Sequence, residues 1–442
     1  MLWGYGFYIS GLAAITPNRH DAPRRPPRRH RAPRDAYAAR TLVRRSGTVL
    51  HHRRAGVVAL ARAPNDGPIS VDASGKWDPP NEAMLIDSLP MNGDMDHVTA
   101  LLPDVEILEV ERLRDGGRST VDRVTVRGYE RSTLIAKRYH DPCSNWIRES
   151  AALSMVGDDL TAPRVIAAGE RTVLMSDLGG GHSVADSLMG TDAEAATADV
   201  MRWVAAVAAI HRNTAGRRDA FVAGLAGPDT IAVSPHAESA RDLASLSGAL
   251  GVTDDHGGLD EAAEAINRLD VDTRDTHALT PADACPDNNV MVGDRLALID
   301  FEGAQWRHLA WDVAYLRVPW PTCWCSWSIP DDLAAAAITR YRDLAAPAFP
   351  YVATPDFERD VEVAAVLWCL MSVSWYLAEA LKNDTTLGDG PRRRGIIQQR
   401  LRICAGQSHL PRIASFAKHL HEASIAAWGS HEVLLARAFR SR

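Results

Sequence analysis

The sequence predicts an α+β chain with two unequal lobes, a small antiparallel β lobe followed by a larger helical one. Three observations carry that expectation. Short alternating apolar runs crowd residues 105–175, with a single helical stretch among them. A glycine break at Gly179, Gly180 and Gly181 ends that texture, and beyond it apolar residues recur mainly at helical spacing. The length of 442 residues suits two or three domains or one large two-lobed unit. A composition of 46% hydrophobic and 24% charged residues excludes collagen, coiled coil and a wholly disordered chain.

The first 95 residues stand apart. Residues 1–17 are apolar but no positive segment precedes them, which argues against a secretory signal. Residues 18–62 are rich in Arg, Pro and His, show no period and offer little to bury, so disorder is expected through residue 95. A nucleic-acid or anionic-lipid arm is the functional alternative, and an untranslated segment before Met84, Met91 or Met95 is a third.

The folded part divides into a β lobe at 96–176 and a helical lobe at 177–438. Strands are expected at 105–113, 121–127 and 132–139, with a glycine turn at Gly116 and Gly117 between the first two. Residues 146–156 place Ile147, Ala151 and Met155 on one helical face. Two short strands follow at 164–168 and 172–175. In the second lobe, 192–212 sets Val200, Val204 and Val207 at helical spacing. Two helices fit 236–270, and a hairpin fits 290–299 around Gly293. Helices are expected at 331–346, 358–382, 394–404 and 411–438. The most apolar stretch, 363–378, is short and carries Ser372 and Ser374, so a buried helix explains it and no membrane association is expected.

Charge and cysteine usage narrow the function classes. The net charge of −7 combines +10 over residues 1–66 with −17 over the rest, so a basic nucleic-acid face on the folded part is not expected. Six scattered cysteines without a CxxC suggest reduced thiols and a cytoplasmic chain; Cys323 and Cys325 form a lone CxC. The chain has 45 Arg but four Lys, at 76, 137, 382 and 418. A Lys within an apolar strand, as at Lys137, therefore asks for a reason.

Residues 279–302 offer Asp283, then Asn288, then Asp300 at a strand end. Phosphoryl transfer uses a carboxylate to orient the attacking hydroxyl, and Mg²⁺ takes oxygen ligands of these types. Singly, Asp283 also fits a turn cap and Asn288 a loop. Lys137 suits phosphate oxygens as a point charge, with Glu149 on the next helix to hold it; an edge-strand Lys facing solvent is the alternative. Gly116 and Gly117 suit a loop over phosphates but equally a plain turn. The segment ending the β lobe, Met175 to Leu178, suits a purine edge or a simple connection.

In this order the residues resemble the aminoglycoside phosphotransferase and choline kinase-like family, relatives of protein kinases. Asp283-x-x-Pro286-x-Asn288 followed by Leu298-Ile-Asp-Phe-Glu302 is similar to the family's HGDxxPxN…IDxE pattern. Met175-Ser-Asp-Leu-Gly-Gly180 looks like its hinge, Ala209-Ile-His211 like the helix before the catalytic loop, and Asp312-Val-Ala like its later DxA motif. The resemblance implies a bilobal protein kinase-like fold. It also implies a catalytic Asp283, Mg²⁺ on Asn288 and Asp300, and ATP or GTP held by Gly116, Gly117, Ser119, Lys137, Glu149, Met175, Asp177 and Leu178. The acceptor would be a small-molecule hydroxyl on an aminoglycoside, another antibiotic, an aminoalcohol or a sugar, with the protein a monomer or dimer.

Two departures bear on this. Pro281-Ala282 stands where the family has His-Gly, and Ala would be strained where Gly permits positive φ. Cys285 replaces another common His. A pseudokinase-like nucleotide-binding or regulatory module is thus the alternative to a kinase. The aromatic run at 320–327 fits a cation–aromatic pocket, core packing or a lid. Asp331, Asp332, Glu358 and Asp360 fit either attraction for a cationic substrate or a solvated helix face.

Overall fold

The computed structural model describes residues 95–440 apart from 117, 141–144, 226–235 and 271–274, with no side-chain description at 236–238. The expected N-terminal disorder and Gly117 therefore lie outside the described residues. After a short helix α1 (Asp96–Leu101) come strands β1 (Glu106–Asp115), β2 (Ser119–Arg127) and β3 (Thr133–Tyr139). Helix α2 (Asn145–Val156) precedes β4 (Val165–Gly169) and β5 (Thr172–Ser176). All pairings are antiparallel and the sheet order is β1-β2-β3-β5-β4. The expected strands and helix are all present, with ends moved by a residue or two.

The second lobe is helical, as expected. It opens with α3 (Val184–Met189) and α4 (Ala193–Thr214), whose Asp192 cap accepts from the Glu194 and Ala195 amides. Then come α5 (Arg218–Gly224), α6 (His236–Ser247) and α7 (Gly258–Leu269). Strands β6 (His277–Thr280) and β9 (Gln305–His308) pair, enclosing the hairpin β7 (Asn289–Val292) and β8 (Arg295–Leu298). Helices α8 (Ala310–Val313), α9 (Asp331–Ala345), α10 (Pro355–Lys382), α11 (Arg393–Ala405) and α12 (Pro411–Trp428) complete it. A small β lobe and a larger helical lobe in this order make the protein kinase-like architecture that the resemblance implies.

Helix α10 is apolar and long enough to cross a membrane by composition, yet 83% of its most apolar window is buried inside the protein. It packs against α6 and α11 as the central core helix. One expectation needs correction: residues 411–438 are not one helix. Gly429 adopts φ 79° and ψ −179°, a conformation essentially reserved for glycine, and α12 stops at Trp428. Elements α1, α3, α5, α8, β6 and β9 had no expectation; each is four to seven residues long, too short for a period to register.

The glycine break has a steric reason. A Cβ on Gly181 would come within 2.0 Å of the Met291 carbonyl oxygen, because the chain leaving the β lobe runs against β7. The Met291 amide donates to the His182 carbonyl at 2.9 Å, fixing that approach. Gly181→Ala is expected to lower stability by about 1–3 kcal/mol through overpacking against backbone. A urea unfolding midpoint equal to that of the parent would refute this close approach.

Candidate active site

Lys137 sits on β3, the middle strand of the five, paired with Val121 on one side and Val173 on the other. The edge-strand alternative is thereby excluded, and Lys137 is only 5% exposed. A lysine in that position must meet anions, and it meets three. Its Nζ lies 3.1 Å from Glu149 of α2, 2.5 Å from Asp300 and 3.1 Å from Glu302. Glu149 also accepts from the Tyr139 hydroxyl and, at 3.1 Å, from the Phe301 amide. One carboxylate thus ties β3, α2 and the loop after β8 together. Burial works against the Lys137 charge, but Asp300 and Glu149 outweigh it and hold its pKa well above that of an ordinary lysine. Burial also opposes the Asp300 charge, yet Lys137, Arg114 and Arg118 keep its carboxyl below the usual range.

The glycine turn between β1 and β2 contributes more than glycine. Arg118 Nη2 lies 2.7 Å from Glu302, and Arg114 Nη1 lies 3.8 Å from Asp300. The Gly116 amide closes the turn onto the Ser119 carbonyl at 3.1 Å, and Ser119 is buried at 4% exposure. The expected hinge follows the same sheet. Met175 lies within β5, paired with Ile135 and Val165, so its backbone belongs to the sheet. Asp177 and Leu178 follow the last paired residue. The Asp177 carboxylate binds Arg123 at 2.8 Å and accepts from the Gly179 amide at 2.9 Å.

The loop from β6 to β7 carries Asp283 and Asn288. Ala282 adopts φ 64°, the left-handed conformation that the missing glycine would accommodate. Asp300 is also left-handed, at φ 66°. The Asn288 amide nitrogen donates to the Asp283 carbonyl at 3.0 Å. Next to it, Asn289 donates to the Cys285 and Pro286 carbonyls at 3.2 and 2.9 Å. Arg307 of β9 donates to Thr280 at 2.7 Å and to Asp312 at 2.8 Å, while His211 contacts the other Asp312 oxygen at 3.1 Å. These bonds brace a loop whose expected histidine is Pro281.

Asp283 Oδ1 accepts from the Thr322 hydroxyl at 2.6 Å. That hydroxyl also lies 2.9 Å from the Tyr315 hydroxyl and 3.1 Å from the Cys285 sulfur. Burial pushes the Asp283 carboxyl up to about 6, against the hydrogen bonds from Cys285 and Thr322 that pull it down. The aromatic segment containing Thr322 lies on this loop. Trp320 is fully buried and stacks edge-on to Trp203 at 5.3 Å. Trp324 donates to Asp287 at 2.8 Å, and Arg440 covers the Trp327 ring at 4.6 Å. This is the packing alternative rather than a cation–aromatic pocket. Glu358 pairs with Arg342 and Asp360 accepts from Tyr351, whereas Asp331 and Asp332 are exposed in the first turn of α9.

The structure therefore brings Lys137, Glu149 and Asp300 together and puts Asp283 and Asn288 on one loop. Sequence reasoning missed Arg114, Arg118, Thr322 and Arg307 as site residues. Glu302 was visible within the strand-end motif but had been given no role.

Comparison with known proteins shows the family. The model of the phosphotransferase enzyme family matches residues 109–351. No curated protein matches the chain. Among solved structures, the APH(2'')-IIa structure in its streptomycin–ATP ternary complex is similar at 13% identity and a TM-score of 0.43, over 68% of this chain and 99% of that one. An ethanolamine kinase from Plasmodium vivax is similar at 11% identity and 0.43, over 74% and 82%. Choline kinase LicA from Streptococcus pneumoniae is similar at 12% identity and 0.42, over 71% and 98%.

The left-handed Ala282 makes a direct test possible. Ala282→Gly is expected to stabilise the protein by about 1 kcal/mol, since an L-residue in that conformation costs about 1–2 kcal/mol that glycine avoids in large part. Chemical unfolding measures it, and a loss of stability would contradict the strain.

Proposed function

The chain belongs to the phosphotransferase enzyme family, and from that premise we propose that it transfers the γ-phosphoryl group of ATP or GTP to a hydroxyl of a small molecule. The observation that carries the proposal is the buried Lys137 ammonium, held jointly by Glu149 from the β lobe and Asp300 from the helical lobe. A compact cation fixed between two lobes suits the α- and β-phosphate oxygens of a nucleotide lying in the cleft. Arg114 and Arg118 bring further positive charge from the glycine turn. The backbone at Asp177 and Leu178, just past the sheet pairing, is where a purine edge would be read.

The donor set fits Mg²⁺: an amide oxygen of Asn288 and the Asp300 carboxylate, with Glu302 beside it, are hard oxygen ligands. When bound, the ion would neutralise charge on the transferring group. Asp283 orients the acceptor hydroxyl and takes its proton in its ionised form. Thr322 holds one Asp283 oxygen, and Asn288 fixes the backbone at the same residue. The acceptor class remains that of the resemblance: an aminoglycoside, another antibiotic, an aminoalcohol or a sugar. The protein would act in the cytoplasm with its thiols reduced, as a monomer or dimer, without nucleic acid or membrane. A regulatory nucleotide-binding module is the second reading, and the strained Ala282 beside Asp283 is what favours it.

Mg²⁺-dependent release of ADP or GDP with pooled hydroxyl acceptors separates the two. Acceptor-stimulated turnover is expected, and Asp283→Asn should lower it by about 10²–10⁴-fold while nucleotide still binds. Nucleotide binding without turnover on any pool would favour the regulatory module.

The pH profile adds a sign. With Asp283 at about 6, the active ionised base is lost as pH falls, so kcat/KM should drop about tenfold per unit below that value and level off above it. Thr322 favours the ionised form, so Thr322→Val should move this acid limb to higher pH. An unmoved limb would remove Asp283 from the role of base.

A further inference from the structure

Five described cysteines are buried free thiols, and four of them form two unlike pairs. Cys369 and Cys404 lie in the core between α10 and α11; the Cys404 thiol faces the Val366 carbonyl at 3.7 Å. These behave as small hydrophobes. Cys285 and Cys323 do not fit that description. They come from segments 38 residues apart, and each is set among polar partners. Cys285 lies 3.1 Å from the Thr322 hydroxyl. Cys323 donates to Asp287 at 3.2 Å and accepts from the Cys325 amide at 3.3 Å. The second Asp287 oxygen is held by Trp324 at 2.8 Å, which orients the carboxylate toward the thiols.

The two sulfurs and an Asp287 oxygen all lie within 4.8 Å of one another. Tetrahedral coordination with metal–sulfur bonds of about 2.3 Å puts two sulfurs about 3.8 Å apart. Three ligand atoms within 4.8 Å of one another are close enough for one such ion to span. We propose that Cys285, Cys323 and Asp287 form a binding site for a thiophilic divalent cation such as Zn²⁺, separate from the oxygen-donor set at Asn288 and Asp300.

The chemistry separates the two sites. Thiolates select Zn²⁺ and related soft ions, whereas Mg²⁺ takes oxygen donors and keeps its waters. Asp287 is partly exposed, giving an ion an approach, while both thiols are buried. Three protein ligands leave a fourth position open, as in exchangeable sites rather than closed structural ones. Binding displaces the thiol protons to solvent, two for each ion held as a dithiolate. The bound ion would cross-link the Asp283 loop to the 320–327 segment. Because Thr322 contacts both Cys285 and Asp283, occupancy is felt at Asp283. The site itself does not rest on the kinase reading, and its test needs no acceptor.

The test is a Co²⁺ titration of the full, reduced chain in excess Mg²⁺, followed by near-ultraviolet thiolate-to-metal charge-transfer absorption. One equivalent is expected to give the band, and Zn²⁺ should displace it. Cys285→Ser and Cys323→Ser should each weaken binding at least tenfold, and Cys404→Ala should leave it unchanged. Absence of the band, or its survival in the Cys285→Ser/Cys323→Ser double variant, would overturn the site. A second measurement needs no variant: Zn²⁺ should slow alkylation of Cys285 and Cys323 at least tenfold relative to Cys404 in the parent chain. Equal slowing at all three, or none, would also overturn it.

Discussion

One buried ammonium organises this molecule. Lys137 has three carboxylates around it and almost no water, so each charge depends on the others. Removing one partner of a buried pair leaves an uncompensated charge, a loss of about 3–5 kcal/mol where it has been measured. The cluster therefore constrains every element that supplies it. Strand β3 must be central, α2 must pack behind it, and the loop after β8 must close from the other lobe. The tally of charges also explains the turn arginines. A single ammonium cannot balance Glu149, Asp300 and Glu302, and Arg118 and Arg114 reach across to the last two. The two lobes are thus held together by opposite charges at this point.

The loop between β6 and β7 shows how bracing from outside holds a strained backbone in place. The familiar histidine and glycine are absent, and their tasks are distributed. Arg307 links Thr280 to Asp312, His211 secures Asp312 from α4, and Asn289 ties down two carbonyls of the loop itself. Asp312 is fully buried and accepts from both Arg307 and His211, so its charge is matched by hydrogen bonds as a buried carboxylate requires. With that bracing, the chain tolerates Ala282 in a left-handed conformation. Backbone strain of this kind persists where the surroundings over-determine it.

The legible part of the sequence was the part with a period or a contrast. Alternation exposed the five strands, and helical spacing exposed the long helices. A rare lysine in an Arg-rich chain singled out Lys137. Acidic and amide residues in a fixed order marked Asp283, Asn288 and Asp300. What stayed hidden has physical reasons. Arg114, Arg118 and Arg307 are three among 45 arginines, so their identity carried no contrast. Thr322 reaches Asp283 from 39 residues away, a contact that no local pattern encodes. The glycine turn was correctly placed, but whether its amides point outward or close on themselves is a matter of backbone conformation. The end of α12 depended on one glycine that sequence periodicity passed over.

The segment at 320–327 gains a definite meaning from its contacts. Its aromatic density left a pocket, core packing and a lid open, and its indoles are committed to Trp203, Asp287 and Arg440. Its functional reach comes from Thr322 instead. A carboxylate has about four lone-pair positions, so one hydrogen bond from Thr322 orients Asp283 without exhausting it. Burial raises the carboxyl while Cys285 and Thr322 lower it, and the balance lies at about 6. The same segment bears Cys323 against Cys285. Cys285 and Asp283 therefore meet at the Thr322 hydroxyl, through which a change in the thiols would reach the carboxylate.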